Sequence, residues 1–380
     1  MRHIGLDVHA KKTMVAWLDD ETGEVSRKPY EVPTDKLAEV LTALPGPKRV
    51  AMEVGGLSLF LAPQLESLGI AVLVADAFQS SRLLEAKHRA KTDALDAHSL
   101  MELLHDGQLD SCAVWVADER TQALRDLTRT REALVQDTTR LRNRIRQLLA
   151  RRGARCSSTN LLGKVAQREL DEIEARWAAE PARCLHELRA SLHGVRASVR
   201  ELEKALRQAA RGHDQVRRLQ TLFGCATLTA VTLVAEIGDI TRFVDATHLR
   251  GYSGLTPRVR RSAERSWTGP LDKKRGNPHL RRILVLLAGQ FSRYLKGHDC
   301  PLARRYGRCF ALHGPNPAKV ALARNLCDII FAMWRQERDF DPARLGVGPE
   351  KADPPLPVGL PAAPVPAPRR GKTSARQASG

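Results

Sequence analysis

Four acidic residues near the start of the chain have the types and settings needed to hold divalent cations. Asp7 lies in the apolar run IGLDV, and Glu53 closes the apolar run VAMEV. A carboxylate in or at the end of a buried strand costs several kcal/mol unless something neutralises it. Asp93 and Asp96 stand three apart in KTDALDAHSLMELLHDG, whose spacing predicts an amphipathic helix ending at Gly107. That spacing puts both on one helix face, Cβ atoms about 5–6 Å apart. Four converging carboxylates would repel and raise one another's pKa values unless a divalent cation sat among them. Hard oxygen donors suit Mg²⁺ or Mn²⁺, and two such ions about 3.5–4 Å apart serve both oxygens of a phosphodiester displacement. Each acid also has a plainer reading, such as Asp93 favouring a helix N-terminus. Two strand acids followed by a helical D-x-x-D make the metal reading the better one.

A second group lies in GYSGLTPRVRRSAERSWTGPLDKKRGNPHLRR. Arg258, Arg260 and Arg261 precede Ser262, and Lys273, Lys274, Arg275 and Arg281 follow it, with Asn277 among them. A serine between arginine-rich runs suits attack on a phosphate, because guanidinium groups stabilise the developing charge. On composition alone Ser253, Ser262 and Ser266 compete, and each is equally a surface hydroxyl. Upstream, LQTLFGCATLTAVTLVAEIGDITRF reads as a helix-hairpin-helix, with Gly224 where a tight turn would offer backbone N–H groups to a phosphate. An ordinary turn between packed helices fits that spacing as well.

The elements that must position these residues fall into four stretches. Residues 1–110 read as strands HIGLDV, TMVAWLD and SRKPYEV, then helix TDKLAEVLTALP, strand RVAMEV, helix LSLFLAPQLESLG and strand AVLVAD before the acidic helix. This order suggests a mixed sheet flanked by helices, a ribonuclease-H-like arrangement. In residues 111–214, Leu127, Leu134, Leu141 and Leu148 repeat every seven positions. Leu185, Leu188, Leu192, Val195, Val199, Leu202 and Leu206 step by three and four. Such a seam serves a dimerising coiled coil or a hairpin within one chain. Gly153 and CSSTN separate the two arms, and Pro181 is expected to interrupt the second. Residues 215–342 read as a mostly helical unit. From Gly346 on, eight prolines fall in 35 residues, so 343–380 is expected to be a disordered basic tail.

Charge points to the partner. Of 380 residues, 61 are Lys or Arg and 43 Asp or Glu, a net of +18. Residues 1–110 carry a net of −5 and residues 111–380 a net of +23, with 46 arginines against 15 lysines overall. A basic excess weighted to arginine suits a polyanion, nucleic acid above all. The seven cysteines are scattered without a C-x-x-C pair, which argues against a disulfide framework or structural zinc. No apolar run reaches 18 residues, and the first residues lack a signal-peptide core, so a cytoplasmic, nucleoid-associated protein without a membrane partner is expected. No G-x-x-x-x-G-K-[ST] phosphate loop is present.

Over about residues 1–340 the chain resembles the insertion-sequence-110 family of transposases. The resemblance rests on Asp7 in GLDVHAKK, Glu53 in MEVGG, Asp93 and Asp96 in KTDALDA, and on FGCATLTA, GLTPRVRRS and KRGNPHLR. Ala263 stands where that family usually has glycine, and Phe223 where its hairpin often has proline. The resemblance implies a RuvC-like, RNase H-like catalytic domain with a Mg²⁺-dependent DEDD site at Asp7, Glu53, Asp93 and Asp96. It also implies a coiled-coil linker and a C-terminal transposase domain. The family's catalytic serine, five residues after the proline of its GLxP motif, falls on Ser262. It implies cutting and rejoining of double-stranded DNA, at element ends and target, through a phosphoserine. A structured bridge RNA would choose the sites, and homo-oligomers would form, a dimer and then a tetramer on DNA. A pilin-type DNA invertase shares these motifs. A RuvC-like structure-specific nuclease and a non-catalytic nucleic-acid-binding protein are the other readings.

Overall fold

The computed structural model describes residues 1–87, 93–261, 266–271 and 276–346. Its first part is built on strands β1 (Arg2–Val8), β2 (Thr13–Asp19) and β3 (Val25–Tyr30), then helix α1 (Thr34–Ala43), β4 (Lys48–Glu53), α2 (Gly56–Ser67) and β5 (Ala71–Ala75). Helices α3 (Ala77–Lys87) and α4 (Asp93–His105) complete it. The strands form one sheet in the order β3-β2-β1-β4-β5, antiparallel from β3 to β1 and parallel from β1 to β5. The β-branched and apolar runs read from the sequence are these strands.

Alternation along the strands sorts side chains between two faces. Ile4, Leu6, Val50 and Met52 pack with Leu37, Leu41, Leu61 and Leu65 of α1 and α2. Ala51 faces the other way, into a cluster with Leu100, Leu103 and Leu104 of α4. Helix α4 crosses directly over Gly5, where a Cβ would overlap the Ala97 carbonyl oxygen and the Met101 amide nitrogen. Gly5→Ala is therefore expected to cost about 3 kcal/mol through overpacking, and to lift α4 off the sheet. A melting temperature equal to that of the parent chain would show that the helix does not rest on this strand.

A long helix, α5 (Glu119–Arg151), follows a clasp at residues 113–116. Val114 and Val116 pack into the first core, and Val114 N–H donates to the Val74 carbonyl at 2.7 Å. Trp115 lies on the far side, against Gly238 and beneath the Arg242 guanidinium, 4.5 Å from its ring centroid. Helices α6 (Lys164–Arg176) and α7 (Ala179–Ala209) return along α5. Leu141, Ile145 and Leu148 of α5 cluster with Leu185 and Leu192 of α7 and with Leu170 and Ile173 of α6. The leucine seam is thus filled within one chain, as a hairpin. Leu185, Leu192, Val199 and Leu206 are buried, while Leu188, Val195 and Leu202 are half-buried. Pro181 does not interrupt the arm. It falls in the first turn of α7, where no intrahelical N–H bond is lost.

The last part comprises α8 (Asp214–Gln220), α9 (Thr227–Ile237), α10 (Ala246–Tyr252), β6 (Pro257–Arg261), β7 (Ser266–Leu271), α11 (Pro278–Leu295), α12 (Pro301–His313) and α13 (Pro315–Arg335). Ala230, Val231, Val234, Leu284, Leu287, Phe291, Leu326 and Ile330 belong to its single apolar core. Strands β6 and β7 form an antiparallel hairpin that the helical pattern of this region did not reveal. Of the expected basic tail, residues 347–380 lie outside the described residues. Among the described residues no helix is long and apolar enough to cross a membrane.

Candidate active site

The register of the sheet sets Asp7 beside Glu53. Leu6 pairs with Met52 across the parallel β1–β4 ladder, so the next residue of each strand, Asp7 and Glu53, stand together at the strands' carboxyl ends. Asp7 shares its face with Gly5 and Glu53 shares its face with Ala51, which is the α4 side in both cases. Helix α4 runs antiparallel to β1: His105 meets His3, and Ala97 and Met101 lie over Gly5. One turn back from Ala97 the helix begins, so its first turn, with Asp93 and Asp96 in its backbone, lies over the end of β1 that carries Asp7. The strand ladder and one glycine therefore bring all four acidic positions to one edge of the sheet.

Two neighbours hold the strand acids. His9 Nε2 lies 3.1 Å from Asp7 Oδ2. Ser80 Oγ donates to Glu53 Oε1 at 2.7 Å from a fully buried position at the start of α3. Asp96 is half-buried and engaged. Among the described residues, Asp7, Glu53 and Asp96 do not form a group whose ligand atoms all lie within 4.8 Å of one another. Carboxylates repel, and each strand acid keeps its own partner instead. The donor set is oxygen throughout, which fits a hard divalent cation.

The other candidate residues within the described stretches lie on β6, between α8 and α9, and at the start of α11. Arg258, Arg260 and Arg261 belong to β6, with Arg260 opposite Trp267 and Arg261 opposite Ser266. Ser262 follows β6 directly and, like Lys273, Lys274 and Arg275, lies outside the described residues. Of the competing serines, Ser253 is fully buried and donates to the Arg250 carbonyl at 2.8 Å, so it cannot meet a nucleic acid. Gly224 has φ +79°, and a Cβ there would press on Gln290 of α11. The turn it makes joins α8 to α9, and neighbouring Phe223 packs at a tilt against Tyr294, ring centroids 4.9 Å apart.

Asn277 is committed inside the protein. Its Oδ1 accepts from the His279 and Leu280 amides, capping α11. Its Nδ2 donates to Glu236 Oε2 at 2.7 Å and to the Tyr252 hydroxyl at 3.1 Å. Arg281 stands half-buried and engaged in the same helix start. Glu236, with no exposed surface, also receives both Nε and Nη2 of Arg129 on α5, at 2.9 and 2.8 Å. Burial pushes the Glu236 carboxyl up, yet Arg129 and Asn277 outweigh it and hold its pKa below the ordinary value. Arg125 Nε donates to the Ala235 carbonyl at 2.8 Å, and Glu132 takes His279 at 2.9 Å together with Arg282. Helix α5 thereby carries the start of α11. Sequence reading missed Ser80, Glu236 and Arg129. Only proximity in the fold reveals them, since Glu236 and Asn277 are 41 residues apart.

Arg129→Met is expected to cost about 3 kcal/mol, because it strands a fully buried carboxylate; exposure of the Arg129 side chain keeps the loss at the low end of the usual range. The sign with pH follows from the lowered pKa. The pair stabilises at neutral pH and above the ordinary carboxylate value, and the gain disappears as pH falls through the lower folded-state value. Unfolding curves of parent and variant should therefore converge in acid; a constant gap at every pH would rule out the ion pair as its source.

Comparison with known proteins agrees with both halves. Residues 4–152 match a transposase profile of the DEDD type for IS110 elements, and residues 216–306 match the transposase profile of the IS116/IS110/IS902 family. The chain is 27% identical over 226 residues to the transposase for insertion sequence element IS1111A of Coxiella burnetii, covering 58% of this chain and 60% of the relative. It is 29% identical over 197 residues to the putative transposase y4qE of Sinorhizobium fredii, covering 52% and 47%. The transposase for insertion sequence element IS1328 of Yersinia enterocolitica is 25% identical over 308 residues, covering 80% and 89%. The chain thus spans less than two thirds of the length of the first two relatives. The sheet order, the DEDD-type match over it and the second match over the helical part agree: the chain belongs to the IS110 family of insertion-sequence transposases, with an RNase H-like first part.

Proposed function

We propose that this protein cuts and rejoins double-stranded DNA at the ends of an insertion element and at its target, through a covalent phosphoserine on Ser262. The observation that carries the reading is that Asp7 and Glu53 each directly follow the last paired residues, Leu6 and Met52, of two parallel strands that α4 covers at Gly5. Those two acids, with Asp93 and Asp96, are the residues that would hold Mg²⁺ or Mn²⁺. A bound cation of this kind neutralises phosphate charge and so favours attack. The protein's own contribution is positional: Ser80 orients Glu53, His9 orients Asp7, and Gly5 lets α4 close over both.

In the chemical step the Ser262 hydroxyl oxygen forms a bond to phosphorus while the bond from phosphorus to one sugar oxygen breaks. The serine proton is released, and the departing sugar oxygen gains one. The energy of the diester stays in the serine ester, so a new DNA hydroxyl can reverse the exchange without ATP. Arg258, Arg260 and Arg261 sit on the strand leading into Ser262 and serve the phosphate charge. Lys273, Lys274 and Arg275 supply a second basic run. The net of +23 over residues 111–380 supports contact with DNA and with an element-encoded guide RNA, which would read sequence by base pairing and leave the protein to hold backbones. The homo-oligomer rests on likeness to the family, since Leu188 and Val195 pack against the hairpin's own core.

Incubation of the full chain with DNA of the element's ends tests this reading. A divalent-ion-dependent protein–DNA adduct is expected, whereas clean nicks without an adduct would identify a hydrolytic RuvC-like nuclease. The arginines make a separate prediction: neutralising Arg260 and Arg261 together should lower the slope of log affinity against log salt by about two, whatever the DNA sequence. An unaltered slope would place both away from phosphates.

A further inference from the structure

The opposite end of the same sheet carries a cluster of different chemistry. Strand β1 begins beside the end of β2, with Arg2 opposite Asp19, and α4 runs back along β1 until its last residue reaches this corner. There His3, Asp20 and His105 each bring one ligand atom to within 4.8 Å of the others. His3 Nδ1 stands 3.0 Å from Asp20 Oδ1, and His105 Nε2 stands 3.6 Å from that same oxygen. The two rings meet edge to face at 5.2 Å. His3 is buried, whereas the Asp20 and His105 side chains are 35% and 45% exposed.

We propose that His3, Asp20 and His105 form a binding site for a first-row transition-metal dication, Zn²⁺ foremost, that pins the end of α4 to the β1–β2 corner. The donor set decides the ion. Two imidazoles and one carboxylate select Zn²⁺ and its neighbours over Mg²⁺, which prefers oxygen alone. The outer side of His105 supplies an independent observation. Its Nδ1 lies 3.3 Å from Asp106 Oδ1. A carboxylate on the far ring nitrogen fixes the tautomer that leaves Nε2 as the lone-pair donor, the usual support of a metal-binding histidine.

The fold also prepays the ordering. All three residues stand on or next to elements of the first core, and small shifts reach the ligand separations of about 3.3 Å implied by tetrahedral Zn–N and Zn–O bonds near 2.0–2.1 Å. The exposed sides of Asp20 and His105 leave the fourth position to water. Four residues of strand separate His3 from Asp7, about 13 Å, so this corner is distinct from the acidic edge. The Met1 ammonium, 3.8 Å from Asp20 Oδ2, approaches the other carboxylate oxygen. The site acts as a clamp on the helix that carries Asp93 and Asp96, and it stands or falls separately from the recombination chemistry.

Calorimetric titration of the full chain, free of any N-terminal tag, with Zn²⁺ tests it, alongside melting temperatures with Zn²⁺ and with chelator. One equivalent should bind at this corner and raise the melting temperature. His105→Gln should weaken that equivalent by at least about 100-fold and abolish the rise, while melting like the parent in chelator because the residue is half-exposed. Asp20→Asn should do the same, and Asp7→Asn should leave the equivalent intact. Unchanged Zn²⁺ affinity in His105→Gln overturns the proposal, as does binding that survives His105→Gln and vanishes when thiols are blocked. Absence of any melting shift in the parent chain overturns it too.

Discussion

Asp7→Asn is expected to reduce divalent-ion-dependent strand cleavage by about 10³-fold or more, the loss of several kcal/mol of charge stabilisation at the phosphate. The same substitution should leave the metal-free fold as stable as before or slightly more so. It removes one of four like charges at the edge where β1, β4 and the start of α4 meet. Among the described residues the side-chain contact it weakens is to His9, an exposed pair worth at most about 1 kcal/mol. Added Mg²⁺ should then raise the melting temperature of the parent chain by mass action and leave the variant unmoved. Destabilisation of the metal-free variant by several kcal/mol would instead make Asp7 a structural acid, and the cation account of this edge would fail.

Ser262→Ala should remove strand exchange altogether, a loss on the order of 10⁶-fold when a serine enzyme is deprived of its nucleophile. Binding of DNA and guide RNA should largely persist, since it is spread over many basic contacts and one hydroxyl to a charged phosphate contributes about 1.5–3 kcal/mol. Ser266→Ala is the matched control, because Ser266 opens β7 opposite Arg261 and sits four residues from the expected nucleophile. It should retain exchange. The reverse pattern, activity lost at Ser266 and kept at Ser262, would move the chemistry to the other strand of the hairpin.

The acidic edge was legible in the sequence because its determinants are local. Apolar runs of strand type closed by Asp7 and Glu53, and a helix opening on D-x-x-D, already imply carboxylates at element ends. Parallel pairing of β1 with β4 then aligns them. Gly5 carried no sequence signal, although its lack of a side chain is what lets α4 approach. The leucine repeat announced a seam but not its partner, since knobs fill holes equally well within a chain or between chains. In the structure Leu141 and Leu148 find Leu185 and Leu192 of the same chain. The C-terminal motifs were read as a basic surface, and there the sequence mixed two kinds of residue. Asn277 caps a helix and binds a buried carboxylate, and Ser253 is fully enclosed. Both roles depend on partners dozens of residues away, which spacing alone does not disclose. The β6–β7 hairpin escaped for a related reason: PRVRR and SWTGPL lack the β-branched alternation that marks a strand.

The proposed chemistry turns on a bond between DNA and one side chain, and that bond can be isolated. Full-length protein is incubated with the element's guide RNA, end-labelled element DNA and Mg²⁺, quenched in denaturant and digested, and the DNA-linked peptide is sequenced by mass spectrometry. A phosphate ester is expected on Ser262, absent from Ser262→Ala and from Asp7→Asn. A DNA-linked peptide modified at any other residue, or cleaved DNA with no linked peptide at all, would contradict it.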